Sequence, residues 1–168
     1  MGEVENAGAY NLKHSSTLFS SIFSFGGPKT SGSLRDITLI REGKEIASID
    51  FYDFLLSGIK KNDKRVQRDD IIYIKPRLKT VTVNGEILRP FIFELKENEN
   101  LTDLIKMAGG LLATTYQKRV QIDRINEPSV RMKTNIDRQI IDIDISSGIK
   151  NKNELFDGDK VSFFKISD

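Results

Sequence analysis

The sequence has no cysteine and a single histidine, His14. That excludes disulfides, thiol nucleophiles and thiolate metal sites together, and such a chain suits either a cytosol or an envelope compartment. One histidine alone builds neither a His-based metal site nor a catalytic triad. No apolar run approaches the roughly 18 residues of a membrane-spanning helix, and no charged-then-apolar signal segment is written at the start. Basic runs are short, the densest being Lys60-Lys61 and Lys64-Arg65. The 26 Lys and Arg nearly balance the 24 Asp and Glu, for a net charge of +2 over 168 residues. A dedicated nucleic-acid module is usually more basic, so nucleic acid is not an expected partner. With 38% apolar and 30% charged residues, the composition is that of a folded globular chain.

What the sequence does contain is a repeat. Residues 2–41 align with 85–124 without a gap and share nine identities in forty positions. Gly2-Glu3 faces Gly85-Glu86, Leu12-Lys13 faces Leu95-Lys96, Leu18 and Ile22 face Leu101 and Ile105, and Gly26-Gly27 faces Gly109-Gly110. Arg41 meets Arg124 at the end of the register. Identities at turn glycines and on apolar faces, in one register, are the mark of internal duplication. Beyond Arg41 the second copy carries extra residues around "NEPSVRMKTNIDRQ". The likeness resumes at Ser-Gly-Ile-Lys, written at 57–60 and again at 147–150, and Asp70 and Asp159 each precede a last apolar strand.

Each copy reads as one small domain. "TVTVNGEI" alternates as a strand and enters a tight turn at Asn84-Gly85. "PFIFELK" is a second β-rich run. Leu101, Leu104, Ile105 and Ala108 form one apolar helical stripe, opened by a capping pair Asn100/Asp103 and closed at Gly109-Gly110. "RVQIDRI", "QIIDIDI" and "KVSFFKI" supply three more strands. The order β-β-α-β-β-β predicts an α+β fold: two tandem β-grasp domains, 1–76 and 77–168, each a small mixed sheet over one helix. In the first copy the helix is expected over 17–25, strands over 36–41 and 45–50 around a turn at Glu42-Gly43-Lys44, and a short helix in "FYDFLLSG" ending at Gly58.

These residues carry a family likeness. "VTVNGEILRPFIFELKENENLTDLIKMAGGL" resembles the soluble-ligand-binding β-grasp (SLBB) domain of bacterial polysaccharide export proteins. Gly85, Glu86, Arg89, Pro90, Phe93, Leu101, Ile105, Ala108, Gly109 and Gly110 fill its pattern. Gly2, Glu3, Val4, Asn6, Gly8, Tyr10, Leu18, Gly26 and Gly27 fill it in the first copy. Ala7 stands where the family usually has proline, and Phe91 where it usually has glycine. The resemblance implies a non-enzymatic structural and binding module in the periplasm, part of an outer-membrane exporter of capsule or exopolysaccharide. The partners it implies are further copies arranged as a ring, the polysaccharide, and an inner-membrane chain-length regulator. It implies no cofactor and no metal.

No residue is expected to be catalytic. The carboxylate pairs Asp69/Asp70, Asp142/Asp144 and Asp157/Asp159 read as turn formers or as the wet face of a strand. Gly26, Gly27, Gly109 and Gly110 follow a helix C-terminus, where the dipole repels phosphate, so they read as helix caps. Arg41 and Arg124 recur at one place and are the candidates for contact with a neighbouring domain or an acidic glycan. The plainer reading of both is a surface ion pair or sheet-edge charge. On the contact reading, Arg124→Glu weakens association or glycan binding and leaves the domain folded. Tyr10, Phe93, Phe163 and Phe164 are sugar-stacking candidates, with core packing as the alternative.

The first copy has no equivalent of the strand 80–84, so its sheet is expected to lack an opening strand and to belong to a longer polypeptide. The alternative function is a free-standing envelope receptor for a glycan, small molecule or protein. A DNA-uptake receptor is disfavoured, since no Gly-x-Gly hairpin with basic flanks is present.

Overall fold

A computed structural model describes residues 1–148 and 153–167; Ile149 and Lys150 of the second Ser-Gly-Ile-Lys string lie outside the described residues. The chain divides into two compact units, Met1–Leu78 and Lys79–Asp168.

The first unit opens with an irregular segment and a short helix, α1 (Leu18–Ser21), whose last turn tightens into the 3-10 helix Ile22–Phe25. Strand β1 (Gly32–Arg41), strand β2 (Lys44–Ile49), helix α2 (Phe51–Ser57) and strand β3 (Ile71–Pro76) follow. The strands form an antiparallel sheet in the order β2-β1-β3. Glu42 and Gly43, both at positive φ, turn β1 into β2, the backbone a two-residue hairpin demands. Leu18, Ile22 and Phe25 pack under the sheet against Ile37, Leu39, Ile49 and Ile74.

The second unit runs β4 (Thr80–Gly85), β5 (Ile92–Glu94), α3 (Leu101–Met107), β6 (Thr115–Ile125), α4 (Pro128–Thr134), β7 (Arg138–Ile143) and β8 (Lys160–Lys165). Its mixed sheet has the order β5-β4-β8-β6-β7, with β4 and β8 parallel. The α+β arrangement of a sheet over a helix is therefore as the hydrophobic periods predict. Leu101, Leu104 and Ala108 of the helix region and Val81, Val83, Val120, Ile122 and Val161 of the sheet are almost wholly shielded from solvent. The Asn100/Asp103 capping box forms as expected.

The pattern differs from the expectation in several places. Ile105 is only half-buried while Met107 is buried: the two flank the stripe of Leu101, Leu104 and Ala108 on opposite sides, and the Met107 side is the covered one. Helix α4, unforeseen in the extra residues, has Pro128 in its first turn and Asn135 as a left-handed cap, and buries none of its side chains. In the first unit the sheet is not mixed, and residues 9–11, equivalent to β5, form no strand. The pairing differs with it: β5 bonds to β4, and in the first unit Met1 and Gly2 stand at the positions of Asn84 and Gly85.

The duplication extends to isolated contacts. Val4 bridges Pro28 as Ile87 bridges Leu111, and Thr17 bridges Arg65 as Asn100 bridges Glu154. Gly2 bridges Ile74 in parallel, as Gly85 pairs with Phe163 at the end of the β4–β8 ladder.

Candidate functional site

In both units the recurring arginine closes on the recurring aspartate. Arg41, at the end of β1, donates from Nε and Nη2 to the two carboxylate oxygens of Asp70, each at 2.8 Å. Nη2 also reaches the Arg65 carbonyl, and the Gln67 amide donates to Asp70 at 2.7 Å. Arg124, on β6, repeats the arrangement with Asp159: Nε at 3.0 Å, Nη2 at 2.7 Å, a further bond from Nη2 to the Glu154 carbonyl, and the Phe156 amide on the carboxylate. Both aspartate side chains are fully buried. The fork of a guanidinium matches the two oxygens of a carboxylate, which makes these the strong kind of ion pair. Arg124 additionally lies 4.1 Å over the Phe156 ring. Each clasp ties the end of one strand to the loop that starts the last strand, so the geometry gives both arginines a structural part within their own unit.

The Arg41 guanidinium holds the Asp70 carboxyl below the usual carboxylate range, and the Gln67 amide adds to this, with burial opposing both. A lowered folded pKa means that the contribution is fully present above the unfolded value of about 3.9 and is lost as pH falls below it. Asp70→Asn is therefore expected to lower the stability of the first unit near neutral pH and to flatten its acid limb. Urea midpoints measured from neutral to strongly acid pH check this; parallel acid limbs in the two proteins would remove Asp70 from the account.

The Gly-Glu pair has an equally local reason. The amides of Glu3 and Glu86 donate to the carbonyls of Ile74 and Phe163. Their carboxylates accept from the hydroxyls of Ser31 and Thr114, residues that are themselves equivalent in the repeat. A Cβ on Gly85 would lie 1.9 Å from the Phe163 carbonyl oxygen, and one on Gly2 would lie 2.1 Å from that of Ile74. Only glycine lets the chain leave the last strand that closely.

The remaining sequence candidates disperse. Gly26 and Gly27 take positive φ behind Phe25, and Gly109 and Gly110 do so behind Ala108, with the Gly27 and Gly110 amides returning to the Ile22 and Ile105 carbonyls. Asp157 accepts from the amide and hydroxyl of Thr80 and so holds the start of β4. Asp142 bonds Arg119 and Gln121, and Asp144 caps the Ser146 amide. Phe93 and Phe163 are core residues, whereas Tyr10 is exposed and donates to the Asn6 carbonyl. Arg119 lies over Phe164.

Sequence reasoning missed two features of the first unit. One is an aromatic cluster in which Phe19 stacks on Phe51 and meets Phe54 edge-on, with Lys60 over the Phe19 ring. Its rings come from two helices far apart in the chain, and no periodicity joins them. The other is an open groove of about 800 Å³, walled by residues 8–14 on one side and 65–72 on the other.

A duplicated sheet-over-helix unit, with a Gly-Glu exit from the last strand and an Arg–Asp clasp behind it, defines a tandem class of small α+β domains. The profile of the SLBB domain matches residues 1–50 and 80–133, and the chain belongs to that family. Two relatives, both polysialic acid transport protein KpsD of Escherichia coli, are each 28% identical over 158 residues, covering 88% of this chain and 28% of their own length. The chain thus spans little more than a quarter of those relatives.

Proposed function

We propose that the chain is a non-enzymatic structural and binding part of a polysaccharide export protein, working in the bacterial periplasm beside the outer membrane. The observation that carries this reading is the likeness to a polysialic acid transport protein over 88% of the chain, through both SLBB units. The geometry agrees with it: the aspartates singled out as possible acids, Asp70, Asp142, Asp157 and Asp159, bond to side chains or backbone amides of the fold. The partners proposed are the polysaccharide itself, further copies in a ring, and an inner-membrane chain-length regulator. A free-standing envelope receptor is the second reading, and among the described residues no single contact favours it.

The test is made in the bacterium that carries the gene. Deleting this segment from its protein is expected to remove polysaccharide from the cell surface while polymer accumulates inside the envelope. Loss of polymer from every compartment would mean a role in synthesis, and unchanged surface polymer would remove export from the account.

A further inference from the structure

Each sheet ends in an outer strand beside the strand that carries the clasp arginine: β2 next to β1, and β7 next to β6. A bare strand edge offers unpaired amides and carbonyls to any other chain, and folds commonly blunt it. In β2 the register slips at Ile46, so a bulge breaks that edge. β7 has no such break. It stays in one register with β6 from Arg138 opposite Ile125 to Ile143 opposite Val120, and among the described residues it bonds to no other strand.

The ladder fixes which groups point outward. Just beyond it, the Asn126 amide donates to the Asp137 carbonyl at 2.8 Å. Bonded and non-bonded pairs alternate along an antiparallel ladder, so Asp137, Gln139 and Ile141 turn their main-chain groups to β6. Arg138, Ile140 and Asp142 turn theirs to the open side. The side chains of these three residues share one face of the sheet. Ile140 is the apolar one between two charges, is 58% exposed, and has Asp123 as its neighbour on β6.

This order of side chains matches itself when reversed. A second copy laid antiparallel about a two-fold axis at Ile140 sets Ile140 against Ile140, with Arg138 against Asp142 on either side. All three pairs join outward-facing groups, so main-chain bonds and side-chain pairs form in the same register. The neighbouring charges extend the match. Arg138 bonds Asp123 at 2.7 Å, and Asp142 bonds Arg119 at 3.1 Å. Across the axis these give a row of alternating sign: Arg119 and Asp142 of one copy, then Arg138 and Asp123 of the other. Apolar pairs and opposite charges set directly across strands are stabilising, whereas like charges are not.

We propose that β7 is a pairing edge for a second copy of this chain, joined antiparallel about a two-fold axis at Ile140. Such a contact closes at two copies, whereas a ring needs a head-to-tail one. The pairing is therefore additional to the ring proposed above and independent of the polymer carried. One strand from each copy makes a small contact, so the dimer is expected to be weak and concentration-dependent.

Sedimentation of the full chain over a range of concentrations is expected to show monomer passing to dimer. Arg138→Asp alone and Asp142→Arg alone each set like charges opposite one another at both ends of the pairing. Each should weaken the dimer by about tenfold or more. An equimolar mixture of the two variants restores opposite charges at both ends and should recover most of the association. Ile140→Lys leaves both ion pairs in place, sets two ammonium groups at the axis and should weaken the dimer by a similar factor. On dimerisation the amides of Arg138, Ile140 and Asp142 should exchange more slowly, while those of Gln139 and Ile141, already turned to β6, change little. A chain that stays monomeric up to about millimolar concentration, a dimer that Ile140→Lys leaves intact, or a mixture no more associated than its components would each overturn the pairing.

Discussion

Gly85→Ala is expected to lower the stability of the second unit by about 3 kcal/mol or more, while Gly110→Ala lowers it by about 1 kcal/mol. Both glycines have positive φ, 87° and 95°, so the backbone penalty of a side chain is common to the two. They differ in what the new methyl meets. At Gly110 no atom lies within 4 Å, whereas at Gly85 the Phe163 carbonyl oxygen stands at 1.9 Å. That oxygen also accepts the Glu86 amide, so it cannot retreat without breaking the exit from the ladder. Chemical denaturation followed by signals of the second unit measures both variants. Equal losses would show that the close approach of β4 to β8 is not what requires glycine.

Arg124→Glu is the second large effect. Asp159 is fully buried and its partner is 14% exposed. Removing one member of a buried pair leaves an uncompensated charge, a loss of about 3–5 kcal/mol, and the reversal also sets two carboxylates against each other. The second unit is therefore expected to unfold at or near room temperature, since whole domains hold only about 5–15 kcal/mol. The contact reading of this arginine expects weaker association in a folded protein; the bidentate clasp predicts loss of fold first. Replacing both partners by leucine should recover much of the loss, because no buried charge then remains. A folded Arg124→Glu protein with unchanged thermal midpoint would return the arginine to a surface role.

Much of this architecture is legible because it is written twice. The ungapped register from Gly2/Gly85 to Arg41/Arg124 locates the helix, its glycine stop and the following strand, since apolar period and turn residues act over a few neighbours. The clasps are not legible by that route. Asp70 lies 29 residues from Arg41 and Asp159 lies 35 from Arg124, and only the folded sheet brings them together. The Glu86–Thr114 bond is hidden for the same reason, although Glu3 and Ser31 recur at the same spacing as Glu86 and Thr114. Helix α4 escaped because its exposed residues carry no buried stripe, and only the Pro128 start and Asn135 stop marked it. The groove was not legible as a cavity, because its two walls come from distant stretches of chain.

The central claim is one unit written twice, each copy closed by its own Arg–Asp clasp. Amide hydrogen exchange on the unmodified chain, resolved residue by residue, tests it most directly. Thr38 and Gln121 hold equivalent positions on the inner ladders β1–β3 and β6–β8. The account predicts that both amides exchange slowly, near the rate of global opening of their own units. Unequal protection of the two, each taken relative to its own unit, would contradict the duplication.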